Sequence, residues 1–421
     1  MNFPKIVMVK NQFPASPAVD VSFEVRRGLE ALKLSAKVRP GQRVAITAGS
    51  RGVTDMVKAI AAVAAFFKEL GAEPFVAPAM GSHGGATDQG QADMLAHLGI
   101  TPETVGAPIQ SSIATDKIGE TSFGQPVVIG RDFTQADHVV VVNRVKPHTS
   151  FRGVVESGLC KMLTIGMGKE TGAKLAHSQF YQHGFETVVR DIAGVVMDKV
   201  PVVCGVALVE NHYEQTAYLK VCGPREFIKT DSELLEKARN FLGRVPFKNV
   251  DLLIVDEMGK NISGSGMDSN VTGRIMNQVT PEPSERQFKR IFVRELTPES
   301  EGNALGVGTA DFAAQRLVEK IDLEKTRVNC VTASVPEKGR IPLSYDQDAA
   351  AVTTALQTVG LEDFGKARVV WIKNTLELGR MFVSEALAEE AAAMDNIVLE
   401  GSLTAMPFDD GGNLPFGLFS R

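Results

Sequence analysis

The run DHVVVVNRV, residues 137–145, holds four consecutive valines with no polar residue between them. A strand with one wet face alternates apolar and polar residues, so a continuous apolar run implies a strand covered on both faces. Comparable runs recur as RVAITAG at 43–49 and PFVAPAM at 74–80. Between them DMVKAIAAVAAFFKELG, 55–71, has apolar residues at helical spacing and stops at Gly71. This alternation predicts an α/β fold with mostly parallel sheets, because parallel strands need crossover helices that then cover both faces.

A second series begins at VDLLIVDEMG, 250–259. It continues through KRIFVREL at 289–296, TADFAAQRLVEKI at 309–321 read as a helix, RVNCVTAS at 327–334 and ARVVWIKNT at 367–375. At 421 residues the chain exceeds the size at which single cores stop growing. The expectation is therefore two α/β domains, 1–247 and 248–421, with an active-site cleft between them. The apolar residues of DDGGNLPFGLFSR, 409–421, suit packing back on the first domain.

The formal charge of −5, without any Lys/Arg block, gives no reason to expect nucleic acid. The most apolar stretch is interrupted by Lys58 and is too short for a bilayer, and the first twenty residues lack the apolar core of a secretion signal, so no membrane partner and a cytoplasmic location are expected. Cys160, Cys204, Cys222 and Cys330 show no C-x-x-C or metal-type spacing, which suits reduced thiols. The oligomeric state is not legible.

Three polar clusters follow predicted strands: GSR at 49–51, GSHGG at 81–85 and NRVKPHTSF at 143–151. Ligands of open α/β sheets bind beyond the carboxyl ends of strands, so these loops can converge on one site. His83 taken alone also reads as a solvated turn histidine, and His148, held in direction by Pro147, also reads as a cap. Lys161 sits among Leu159, Met162 and Leu163, where a lysine either snorkels to water or becomes a low-pKa nucleophile. His177, in GAKLAHS, has a plain role available at a helix end. The chain contains no H-E-x-x-H, no G-x-G-x-x-G and no Walker A pattern.

Together, GSHGG, PHTSFRGVVESGLCK and AHS resemble the motifs of the lactate racemase family, enzymes that carry a nickel-pincer nucleotide. The resemblance implies His83 and His148 as catalytic acid/bases and His177 as the nickel ligand. Lys161 and Ser50 would join His177 in binding the cofactor, Lys161 through a covalent link, and Arg51 would hold the substrate carboxylate. It further implies a 2-hydroxy acid racemase or epimerase working by reversible hydride transfer, with partner proteins that make the cofactor. The chain departs from the family at Ala48, where an Asp is usual, and at Thr272, Gly273 and Arg274, where a Tyr-Gln pair and a Lys are usual. Arg274 in the altered segment leads to the expectation of a second substrate contact and of malate or another polar 2-hydroxy acid as substrate. Two alternatives stand beside this reading: a zinc-dependent hydrolase or lyase using the same histidines, and a non-enzymatic cofactor-binding protein.

Overall fold

The first strand, β1 (Ile6–Asn11), pairs antiparallel on both sides with strands from the far end of the chain, Arg380–Ser384 and Ile397–Thr404. In the computed structural model, which describes residues 2–16, 18–284 and 287–419, the chain accordingly crosses twice between two compact units. One comprises Met1–Pro14 and Gly243–Arg421, the other Ala15–Leu242. The sequence places a boundary at 247/248. The contacts place it at Gly243 and assign the first fourteen residues to the C-terminal unit, because β1 completes that unit's sheet.

The Ala15–Leu242 unit contains β2 (Arg43–Ala48), β3 (Glu73–Pro78), β4 (Thr115–Glu120), β5 (Pro126–Gly130), β6 (His138–Arg144), β7 (Val202–Glu210) and β8 (Thr216–Cys222). β4 and β5 form a separate antiparallel pair. The others make one sheet in the order β3-β2-β6-β7-β8, parallel except at the β7/β8 edge. Val139 to Val142 of β6 are all fully buried, as the continuous valine run requires. On one face, Val44, Ile46, Val140 and Val142 pack with Val25, Leu29, Ile60, Val63 and Phe67 from the helices Val21–Ala31 and Met56–Glu69. The turn around Lys161 lies beside β6 and β7, and the helix Phe227–Phe241 beside β7 and β8.

The other unit holds β9 (Val250–Met258), β10 (Phe288–Leu296), β11 (Phe312–Ala314), β12 (Leu343–Tyr345), β13 (Val369–Ile372), β14 (Arg380–Ser384) and β15 (Ile397–Thr404). Its eight strands run β12-β11-β10-β9-β13-β14-β1-β15, parallel from β12 to β13 and antiparallel beyond. The segment 309–321, read as one helix, contains the short strand β11, and its only α-helical residues are Gln315–Val318. The last residues belong to this unit's core: Met406 and Leu414 pack with Ile6, Leu252, Ile254 and Trp371. The fully buried Arg294 explains their course, since it bonds Asp256, Asp348 and the Leu414 carbonyl at once. Among the described residues no helix is long and apolar enough to cross a membrane.

Candidate functional site

β2, β3 and β6 run parallel, so the segments that follow them, 49–51, 81–85 and 145–158, all leave from the carboxyl edge of one sheet. The first two meet directly, through a hydrogen bond between Ser50 Oγ and His83 Nδ1. The His83 loop is fastened from below. Gly81 N donates to Gly166 O at 3.2 Å, and buried Gln91 donates from Nε2 to the Gly81 and His83 carbonyls at 2.9 and 3.2 Å. Lys169 Nζ donates to the Pro78 carbonyl at 2.6 Å and to Gln91 Oε1 at 3.3 Å. This lysine is almost fully buried in a left-handed backbone conformation, and burial, opposed by Asp132, brings its pKa down to about 8.

The His148 loop is organised by a buried carboxylate. Glu156 is fully buried; its Oε2 accepts from the His148 amide at 2.8 Å, and its Oε1 accepts from Gly153 N and from Arg239 at 3.2 and 2.8 Å. His148 Nδ1 accepts from Ser150 N at 3.0 Å, which assigns the proton of the neutral ring to Nε2. The ring lies 4.9 Å from Phe151 and 5.5 Å from Phe185, centroid to centroid.

Lys161 ends the short helix Leu159–Lys161 and is followed by a π-helical turn, Met162–Gly166, and the helix Lys169–His183 that carries His177. Single π turns inserted between helices recur at functional sites. Lys161 keeps partial contact with solvent, yet burial of its ammonium, reinforced by Lys146 and Arg51, lowers its pKa to about 7. His177 falls to about 4, through burial first and the charge of Lys161 second. Its Nδ1 is buried without a hydrogen-bond partner. The Arg51 residue is exposed overall, while crowding of its guanidinium and then neighbouring Arg144 lower its pKa. Arg144 is itself paired with Glu210.

The expected residues of the Ala15–Leu242 unit thus form one connected set. His83 bonds Ser50, Lys161 senses the charge of Arg51, and Lys161 acts on His177. His177 then reaches His148 through the rings of Phe180 and Phe151, each step within 5.1 Å. Around Lys161 the charges of Lys146 and Arg51 are both positive, which suits an anionic ligand such as a carboxylate or phosphate.

Arg274 is a correction. It lies in the other unit, nearly buried, with Nη1 and Nη2 on the Asp311 carboxylate at 3.2 and 2.8 Å and Nη2 also on the Lys289 carbonyl at 3.2 Å. A guanidinium so committed holds two segments of its own unit together and has no fork left for a second substrate carboxylate. Nearby Asp268 caps the turn Ser269–Thr272 by accepting from Asn270 N at 2.8 Å. Among the described residues no three His, Cys, Asp or Glu side chains converge as a metal site of protein ligands alone would need, so the three histidines make no zinc triad.

Sequence reasoning missed Glu156, Lys169, Gln91, Arg239 and Asp231, the last accepting from Leu159 N and Cys160 N, each at 2.8 Å. Only Lys169 left a local trace, in the Gly-rich stretch MGKETG that surrounds it. Residues 6–187 match the family model described as the lactate racemase N-terminal domain. No curated protein matches. Among solved structures, the lactate racemase apoprotein from Thermoanaerobacterium thermosaccharolyticum superposes with a TM-score of 0.56, covering 88% of this chain and 99% of its own at 12% identity. At that identity the likeness establishes the α/β fold.

Proposed function

The chain belongs to the lactate racemase family through residues 6–187, and from that premise we propose that it is a racemase or epimerase of a 2-hydroxy acid that uses a nickel-pincer nucleotide. The observation that carries the proposal is the pairing of Lys161 and His177: an amine whose pKa has fallen to about 7 beside an imidazole with a buried, unsatisfied Nδ1. These residues fit the cofactor. A lone imidazole cannot complete a metal's coordination, so a metal held at His177 takes its other donors from a non-protein group, and soft sulfur donors with an imidazole suit nickel. Lys161, with its pKa lowered to about 7, has a substantial neutral fraction near neutral pH and is suited to covalent attachment through Nζ. Ser50 and the surrounding cations would hold the remaining polar part.

When bound, that group supplies the electrophilic ring which takes and returns the hydride of C2. The chain's own residues handle the substrate's charge and its proton. Arg51 would hold the carboxylate, since a guanidinium makes two parallel bonds to it. His83 and His148 would exchange the hydroxyl proton, each worth about 10²–10⁴-fold by general acid–base catalysis. In the described geometry His148 is neutral, with its one proton on Nε2, and can donate a hydrogen bond to a substrate oxygen; to give or take a whole proton at Nε2 the ring must carry a proton on Nδ1 in the course of the exchange, which requires the Ser150 amide contact to give way. The expected preference for malate or another polar acid rested on Arg274, whose guanidinium is committed to Asp311.

The test is to prepare the protein with and without the proteins that make the cofactor, then record intact mass, nickel content and racemisation of a panel of 2-hydroxy acids. The proposal expects a mass adduct lost in Lys161→Ala, nickel lost in His177→Ala, and turnover only in the loaded protein. Full racemisation by cofactor-free protein would overturn it.

A further inference from the structure

The helix Phe227–Phe241 contains no residue to which a part in the chemistry has been given, yet it touches the site segment at two separate points. Asp231, fully buried, accepts the amides of Leu159 and Cys160 at 2.8 Å each, the first amides of the turn that ends in Lys161. Two helical turns later Arg239 reaches Glu156 at 2.8 Å, and Glu156 in turn accepts the His148 amide at 2.8 Å. Helix starts leave their first amides unpaired, and a carboxylate aimed at them fixes both the position and the direction of the turn. The cap here comes from a distant helix, which ties the Lys161 turn to a rigid element rather than to its own flank.

The residue before the turn is shaped to this contact. Gly158 has φ of 98°, outside the range of ordinary side chains, and a Cβ built on it would collide with Asp231 Oδ1. Its carbonyl is held by Asn143 Nδ2 at 2.7 Å, so the peptide is pinned from β6 on one side and from Asp231 on the other. A buried carboxylate aimed at amides, with no salt-bridge partner among the described residues, is a costly arrangement, which a loop in need of no fixed geometry would not require.

We infer that the helix Phe227–Phe241 is a two-point clamp on the catalytic segment, with Asp231 a positioning residue for Lys161 and Arg239, through Glu156, a positioning residue for His148. The inference rests on the racemase reading for its consequences in turnover, while the clamp itself is a statement about the cofactor-free protein. Misplacement of a reacting group by about 1 Å costs up to a hundredfold in rate, so small displacements of the segment are enough to matter.

The test is hydrogen exchange on the cofactor-free protein combined with steady-state kinetics on the loaded one. Asp231→Ala is expected to speed exchange in residues 158–166 while β2 and β6 keep their protection, and Arg239→Gln to do the same for 148–156. Asp231→Asn, which keeps one acceptor oxygen, should give an intermediate result, and it and Arg239→Gln serve where Asp231→Ala fails to fold. In turnover each variant is expected to lose about tenfold or more in kcat with KM nearly unchanged. Unchanged exchange at 158–166 in folded Asp231 variants overturns the clamp, and loosened segments with full kcat overturn the positioning role. If the wild-type protein racemises nothing, the exchange data still decide the clamp, and the racemase reading is what falls.

Discussion

The Lys161 ammonium stands among an apolar turn, Lys146 and Arg51, and each of these disfavours its charge. Its folded pKa of about 7 lies below the ordinary 10.5, so between those values the native state binds fewer protons than the unfolded one. A group shifted in this direction contributes its full share of stability above the unfolded value and loses it as pH falls through about 7. Lys161→Met should therefore stabilise the cofactor-free protein more at pH 6 than at pH 10. The side chain keeps some solvent contact, so the difference should be a fraction of the full shift, about 1–2 kcal/mol, each pKa unit being ~1.4 kcal/mol. Chemical denaturation at the two pH values measures it, and an equal effect at both would show that the ammonium is freely solvated. The lysine was legible in the sequence from its apolar flanks. The unsatisfied Nδ1 of His177 was not, because a helical residue's burial depends on which rings, here Phe180 with Phe151 behind it, close over it. Arg274 misled for a related reason: a surplus cation in a sequence reveals nothing of an Asp311 waiting on another loop.

Between residue and fold, the element that joins the site is the π-helical turn Met162–Gly166. It brings Gly166 so near the end of β3 that a Cβ there would lie 2.6 Å from the Ala79 carbonyl oxygen, while the Gly166 carbonyl accepts from Gly81. Gly166→Ala should cost about 1–3 kcal/mol by overpacking and push the His83 loop away from its anchor. The expected signature is a lowered Tm together with a loss of kcat larger than in a variant of equal Tm altered elsewhere in the core. Recovery of full kcat below the melting range would separate the two effects and remove the turn from the site. The long buried strands were legible because continuous valine or leucine runs admit few other readings. The strand β11 was not, since three residues carry no period. Segment 327–334 sits largely in a helix, Leu323–Thr332, whose start was signalled by Asp322 accepting from Lys325 N.

At the scale of the whole chain, the sequence shows two series of α/β alternation but conceals that the first strand belongs to the second series. Nothing local could reveal it. The pairing of β1 with β14 and β15 joins opposite ends of the chain, and Ile6, Val7 and Val9 read equally well as the start of an N-terminal domain. Those three side chains are almost fully buried, and at about 1.5–3 kcal/mol each their removal withdraws on the order of 5 kcal/mol from the C-terminal unit. Deletion also leaves β14 and β15 with unpaired backbone facing each other across a gap, the exposed edge that promotes aggregation. Removing residues 1–12 should therefore strip exchange protection from β14, β15 and β13 while β2, β3 and β6 keep theirs, because no residue of β1 enters the five-stranded sheet. The truncated protein should aggregate on mild heating at a temperature where the intact chain does not. Hydrogen exchange resolved by peptide gives the comparison, with Val9→Ala as a milder variant costing about 1–2 kcal/mol in the same strands. Equal loss of protection in both sheets would mean that the two units unfold as one cooperative body, and the role of β1 as a strut for the C-terminal unit alone would have to be abandoned.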